Sequence, residues 1–262
     1  MAFPTNLNVL DKVFGIFSSK RKPLLQEDAI QFLLYFLNLL HEEVLSLMSL
    51  APEDEKASNN GPWKTAGTNR RNIVLQETQG EQSPFTDIFV TMVRSDTLEN
   101  GRSRTVSKES HLVIPLPIQG HKTLYECIDA FVAEEIITNS ISKKTTFLSF
   151  PKSIIFGLKR FAYDPFVDRS IKLFDEVEYP EILVLERPMD KVPIKYQLSA
   201  IVEHIGKSPE GGHYLCYGRR FDGTWMLFDD DRVVKLADKE YLDKEAYLLL
   251  YNQITSFMPD ED

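Results

Sequence analysis

The residues best suited to chemistry stand in the run GGHYLCYGRRFDGTWMLFDDDRVV, residues 211–234. It places His213 sixteen residues before Asp229, with two strand-like stretches and a turn between them. A hairpin of that size brings the start of one strand beside the end of the next. An imidazole next to a carboxylate is the base-and-orienter half of a nucleophilic triad, because the carboxylate fixes the tautomer and stabilises the imidazolium. Gly211 and Gly212 before the histidine point to a close backbone approach. Taken alone, the same residues also fit an ordinary surface hairpin.

A triad needs a nucleophile, and the chain has two cysteines, Cys127 and Cys216. Cys216 lies three positions after His213 on the same expected strand. Odd spacing on a strand sends side chains to opposite faces, so the two should not meet. Cys127 falls on the apolar stripe of an expected helix and reads as a small core residue. No Ser stands in a GxSxG elbow. The other histidines, His41, His111, His121 and His204, show no metal-ligand spacing with another His or Cys. Each reads as a satisfied or solvent-facing side chain, although His204 lies just before the loop that leads to His213, which leaves a role there open. No CxxC pair, GxGxxG or GxxxxGK[ST] occurs, so neither a zinc site of the usual kind nor nucleotide binding has support. No cofactor is expected.

The elements that must position these groups are read from periodicity. Gln26 to Met48 gives the clearest helix, with Leu33, Phe36, Leu37, Leu40, Val44 and Leu47 at spacings of three and four. Glu27 and Asp28 near its start complement the helix dipole. Pro52 to Pro62 is a polar, turn-rich loop. Asp87–Arg94 and His111–Leu116 read as strands, with the polar stretch Thr97–Ser110 as a hairpin tip. Thr123–Ile137 returns to helical spacing. The later runs Ser153–Phe161, Tyr196–His204, His213–Arg219, Thr224–Phe228 and Ala246–Tyr251 read as strands, and Glu186–Lys195 as the longest late loop. Helix first and strands later predict an α+β domain with a mainly antiparallel sheet.

The bulk properties narrow the classes. The chain has 262 residues, 43% of them hydrophobic, with seventeen Phe and ten Tyr, enough for a sizeable core. A net charge of −9 argues against nucleic acid as the main partner, since phosphate binding wants a basic face. Two cysteines cannot build a disulfide framework, which points to a reducing compartment. No signal peptide is evident and no segment reads as the roughly 20 apolar residues of a membrane span. The expectation is a cytoplasmic or nuclear protein without a membrane partner.

Several segments resemble the catalytic domain of ubiquitin-specific proteases. GGHYLCYGRR…WMLFDDDRVV…AYLLLY is similar to that family's histidine box, FPKSIIFGLKRF with KLFDEVEYPEILVL to its L-K-R-F…P stretch, and LLQEDAIQFLLYFLNLLHEEV to its helix opening with Gln-x-Asp-Ala. The segments keep the family's order from Gln26 to Tyr251. WKTAGTNRRNIV, SPFTDIFVTMVRS and LVIPLPIQGHKTLYECIDAFVAEEII resemble the branch of ubiquitin-specific protease 10, which lacks the zinc-binding cysteine pairs of many relatives.

The resemblance implies a papain-like fold of thumb, palm and fingers, with thumb helices in residues 1–50, fingers and a connecting helix in 51–150, and the palm in 151–262. It implies cleavage after the C-terminal glycine of ubiquitin, with ubiquitin or ubiquitinated proteins as partners. His213 matches the general base, Asp229 the third triad member, and Asp230 a residue that helps polarise the reaction centre. Asp28 matches an acidic residue that grips the ubiquitin tail, and Phe161 and Tyr214 match aromatic positions lining its channel. The family's cysteine box lies well upstream of the Gln26 segment, and residues 1–25 contain no Cys. The expectation is therefore a truncated thumb, a site without its nucleophile, and no activity from this chain alone. Gln31 stands where relatives carry Glu, which removes one carboxylate from the tail-binding surface. A ubiquitin-binding or scaffold protein, with an unidentified partner on the exposed thumb face, is the alternative.

Overall fold

The computed structural model describes residues 28–49, 63–66, 73–77, 83–166, 168–208, 211–237 and 239–255. The first helix, α1 (Ala29–Ser49), begins where Asp28 caps it. Asp28 Oδ1 accepts the Gln31 N–H at 2.9 Å, and its carbonyl accepts the Phe32 N–H at 2.9 Å. The side-chain contact satisfies one of the donors that a helix N-terminus leaves open, and the carbonyl accepts the first bond of the helix itself. Gln26 and Glu27, which the sequence placed in this helix, lie outside the described residues, as does the Pro52–Pro62 loop.

The apolar stripe of α1 does what its spacing demands. Leu37 is buried, and Ile30, Leu33, Leu34, Leu40 and Val44 pack with it against Phe85, Val113, Ile155 and Leu248. One expectation is corrected here. By length and composition, Ala29–Met48 does suffice to cross a membrane. Asn38, His41, Glu42 and Glu43 interrupt the apolar run without removing that capacity. In the fold this helix is a partly covered element lying on a sheet.

Six strands form the first sheet: β1 (Trp63–Ala66), β2 (Ile73–Glu77), β3 (Thr91–Glu99), β4 (Arg102–His111), β6 (Glu135–Ile136) and β7 (Ile141–Ser149), in the order β1-β2-β4-β3-β7-β6. Only the β2–β4 pairing is parallel. Asp87–Arg94 is not all strand, because Pro84–Phe89 forms the short helix α2 and β3 starts at Thr91. Ser83-Pro84 is a helix-start signal, with Pro harmless at the first helical position. Thr97–Ser110 is not a long tip either. The turn is Asn100-Gly101 alone, both at positive φ (51° and 74°), between the paired Glu99 and Arg102. Asn-Gly supplies the two left-handed residues of a tight hairpin, so the polar residues beyond it continue the ladder.

The larger sheet holds β5 (Ile114–Leu116), β8 (Ser153–Leu158), β12 (Pro193–Ser208), β13 (Gly211–Arg219), β14 (Trp225–Asp229), β15 (Arg232–Lys235) and β16 (Ala246–Gln253). Their order is β15-β14-β13-β12-β16-β8-β5, and β11 (Ile182–Glu186) pairs with β12 as well. All pairings but β5–β8 are antiparallel. Both faces are covered at the centre. Ile154, Phe156 and Leu249 belong to the main core with Leu124, Cys127 and Ile128 of helix α3 (Leu124–Val132). Ile155 and Leu248 face α1. That is why SIIFGL and AYLLLY read as continuous apolar runs rather than alternating ones. The class is α+β and mostly antiparallel, as the sequence implied.

A two-stranded hairpin, β9 (Phe161–Asp164) with β10 (Arg169–Lys172), completes the fold beside the large sheet. Arg160 anchors its first residue. The guanidinium is buried and donates to the carbonyls of Ala246 at 2.6 Å, Asp175 at 3.0 Å and Leu173 at 3.4 Å. Arg160→Met keeps the volume but orphans these acceptors. Urea unfolding should show a loss of at least about 3 kcal/mol.

Candidate active site

Strand register explains why His213 and Asp229 meet. In the β13–β14 pairing Cys216 lies opposite Phe228 and Tyr217 opposite Leu227. Alternation puts His213, Leu215 and Tyr217 on one face, together with Leu227 and Asp229 of the partner strand. Asp229 is thus the diagonal neighbour of His213, within reach of a side-chain bond. His213 Nε2 and Asp229 Oδ1 stand 2.6 Å apart, both partly exposed. The hydrogen bond to Asp229, with the added charges of Asp230 and Asp229, raises the His213 pKa above its ordinary value against a smaller opposing effect of burial. With Nε2 on the carboxylate, Nδ1 is the ring nitrogen left to work on another group. Asp230 occupies the turn into β15 at φ 50° and is exposed.

The second constellation lies at the start of α1. Tyr247 O–H donates to Asp28 Oδ2 at 2.5 Å, and Tyr214 O–H reaches the same oxygen at 3.5 Å, a long contact. The Phe161 ring lies 5.4 Å from that of Tyr247, and the Tyr214 ring 6.0 Å from it. Asp28, Phe161 and Tyr214 are therefore brought together across α1, β9 and β13. Sequence reasoning missed Tyr247, hidden in an apolar run. It left a role for His204 open without an argument for it; the side chain is 2% exposed, not solvent-facing. The His204 ring sits 4.8 Å from Tyr214 and 5.3 Å from Phe161. The signal for Tyr247, as for Tyr251 in the same strand, is a hydroxyl in a largely aliphatic run, since a buried Tyr needs a partner.

Neither cysteine supplies a nucleophile. Cys127 is fully buried in the main core, and burial pushes its thiol up to about 11. Cys216 sits between Val202 and Phe228 in the sheet, on the opposite face from His213, and burial raises its pKa too. Both environments oppose the thiolate that such chemistry requires. The ligand atoms of His213, Asp229 and Asp230 all lie within 4.8 Å of one another, a spacing that a divalent cation could also meet. Sequence spacing had given no metal-ligand pattern. The 2.6 Å His–Asp bond already accounts for two of the three groups.

Residues 6–251 match the family of ubiquitin carboxyl-terminal hydrolases. The chain belongs to that family. Among curated relatives, ubiquitin hydrolase B of Dictyostelium discoideum is 28% identical over 262 residues, 90% of this chain and 58% of its own length. Ubiquitin carboxyl-terminal hydrolase 10 of Xenopus tropicalis is 28% identical over 276 residues, 87% of this chain and 34% of its own. The resemblance to the ubiquitin-specific protease 10 branch is thereby supported. The chain spans between about a third and three fifths of the length of these relatives. A solved SAGA DUB module of Ubp8, Sgf11, Sus1 and Sgf73, bound to monoubiquitin, superposes with a TM-score of 0.69 at 24% identity, over 88% of this chain and 49% of that one. The fold is that of the ubiquitin-specific protease domain.

Two predictions follow from this geometry. Asp229→Asn should bring the His213 pKa down towards its ordinary value of 6.5, read from the ring signals in an NMR titration. A histidine whose pKa is raised on folding adds stability that is full below its unfolded-state value and is lost as pH rises through the folded-state value. The stability gap between wild type and Asp229→Asn should accordingly shrink as pH rises above the ordinary value of 6.5. Tyr247→Phe removes a hydrogen bond to the carboxylate that starts α1, and thermal or urea unfolding should show a loss of about 1–3 kcal/mol.

Proposed function

We propose that this chain carries the base, the orienter and the tail channel of a thiol-dependent deubiquitination site. The observation that carries the reading is the 2.6 Å His213–Asp229 bond, set on the hairpin that also presents Tyr214 to Asp28. In this reading His213 Nδ1 takes the proton of a thiol and later gives it to the leaving amine. Asp229 holds the ring and stabilises the imidazolium, and Asp230 adds negative charge beside it. Asp28, Phe161 and Tyr214 grip the arginine-rich C-terminal tail of ubiquitin, where carboxylate–Arg bonds are charge-assisted. Support comes from the family match and from a structural neighbour that was solved bound to monoubiquitin. Two free cysteines fit a cytoplasmic or nuclear setting.

The 262 residues by themselves hold no thiol suited to His213, so the isolated chain should not turn over. Removing a triad nucleophile costs on the order of 10⁶ in rate in a well-studied serine protease. Release of a fluorophore from a ubiquitin C-terminal conjugate should be absent. Turnover that disappears in His213→Ala would sink this expectation. Ubiquitin should still dock. An NMR titration should saturate, and Asp28→Lys should weaken it by tenfold or more, about 1.4 kcal/mol. Non-saturating shifts at millimolar ubiquitin would count against the channel.

A second reading is a catalytically silent scaffold. Leu47 and Met48, at the far end of α1, are 70% and 48% exposed, which favours a protein partner on that thumb face. The two readings separate by which surface a bound partner protects, the channel or the end of α1.

A further inference from the structure

We infer that His204 is a positioning residue of this site, a buried wedge whose ring fixes where Gly206 and Gly212 lie and so delivers His213 and Tyr214 to their places. The register sets the frame. His204 is paired with Tyr214 and Ile205 with His213, and the ladder then shifts before Ser208 pairs with Gly211. Both glycines beside that shift touch the imidazole. A Cβ on Gly212 would overlap His204 Nε2 and Cε1 and the Ile205 carbonyl. A Cβ on Gly206, at φ 152°, would meet the Gly211 carbonyl at 2.8 Å and His204 Cε1 at 3.2 Å. The ring thus fills the room that two side chains would need, which is a physical reason for glycine at both positions.

The other sides of the wedge are closed as well. Lys172 donates to the His204 carbonyl at 2.6 Å and to the Gly206 carbonyl at 3.1 Å, holding the backbone on either side of Ile205. Phe161 meets the ring edge-on, with an interplanar angle of 83°, and Tyr214 leans on it at 56°. His204 Nδ1 is enclosed and finds no hydrogen-bond partner among the described residues. A charge there would be poorly solvated. Burial and the Lys172 ammonium lower the ring's pKa, against a weaker pull from Asp28. The contribution of His204 is therefore shape, not proton transfer.

This inference rests on His213 being the base of the site, yet its readout needs no ubiquitin, so failed docking and a failed wedge are told apart. The measurement is the His213 titration by NMR in the full 262-residue chain. His204→Ala should let the glycines collapse inward, and the His213 pKa should fall towards 6.5 while the amide spectrum stays that of a folded protein. His204→Phe keeps a flat ring without nitrogen and should retain the elevated value. An unchanged His213 pKa in folded His204→Ala would overturn the inference, and so would a lost elevation in folded His204→Phe. Should His204→Ala not fold, Gly212→Ala carries the test by forcing a methyl against the ring. There too a lowered His213 pKa is expected, and an unchanged one overturns the inference.

Discussion

The carboxylate of Asp28 is the contact on which the rest of the site depends. One oxygen caps α1 through Gln31, and the other receives the Tyr247 hydroxyl from β16 and, at longer range, that of Tyr214 from β13. A helix terminus and two strands of the large sheet are thereby tied at one point. The apolar stripe of α1 holds the helix onto the sheet but tolerates sliding, because hydrophobic contact is non-directional. The carboxylate removes that freedom. A carboxylate offers about four acceptor directions, so the contacts seen here leave room for a donor from a bound peptide.

The ring cluster around Asp28 is also shaped by departures from regular pairing. Strand β12 pairs in register with β16 from Ala200–Leu250 to Val202–Leu248, then pairs Glu203 with Ala246, so that Tyr247 is the extra residue of a bulge. A second irregularity separates Ile205 from Ser208 on the other side of the same strand. Bulges re-aim side chains, and these two sit beside Tyr247 and His204. An unbroken ladder would have spaced those residues as strict alternation requires, and the ring cluster around Asp28 could not have formed in the same way.

This is also why the sequence revealed the site unevenly. The His213–Asp229 pair was legible because both residues lie on one hairpin and antiparallel geometry alone places them on the same face. The apolar runs of β8 and β16 were legible as strands because both their faces are covered. Tyr247 was not legible as a site residue, since its partner lies 219 positions away and no periodicity reports a contact of that range. His204 looked ordinary because its role comes from two glycines that only the bulge brings against it. The misread hairpin tip and the short helix α2 were different, because Asn100-Gly101 and Ser83-Pro84 were plain local signals outweighed by composition.

Buried charge is arranged to serve position. Arg160, Lys172 and Glu203 are all buried; replacing a whole buried charged pair by apolar residues is often neutral or stabilising in other folds, whereas removing one partner alone is costly. Their partners here converge on two backbone segments. Arg160 binds the Ala246 carbonyl, Glu203 accepts the Glu245 N–H at 3.3 Å and the Tyr217 hydroxyl at 2.7 Å, and Lys172 binds the carbonyls of His204 and Gly206. Segments 203–206 and 245–247 carry His204 and Tyr247, whose rings pack against Phe161 and Tyr214. Hydrogen bonds from buried charges are directional where apolar packing is not, so they fix these segments to within the tolerance that a bond to Asp28 requires. A fully apolar version of this core would keep the sheet together and leave the channel free to settle in more than one arrangement.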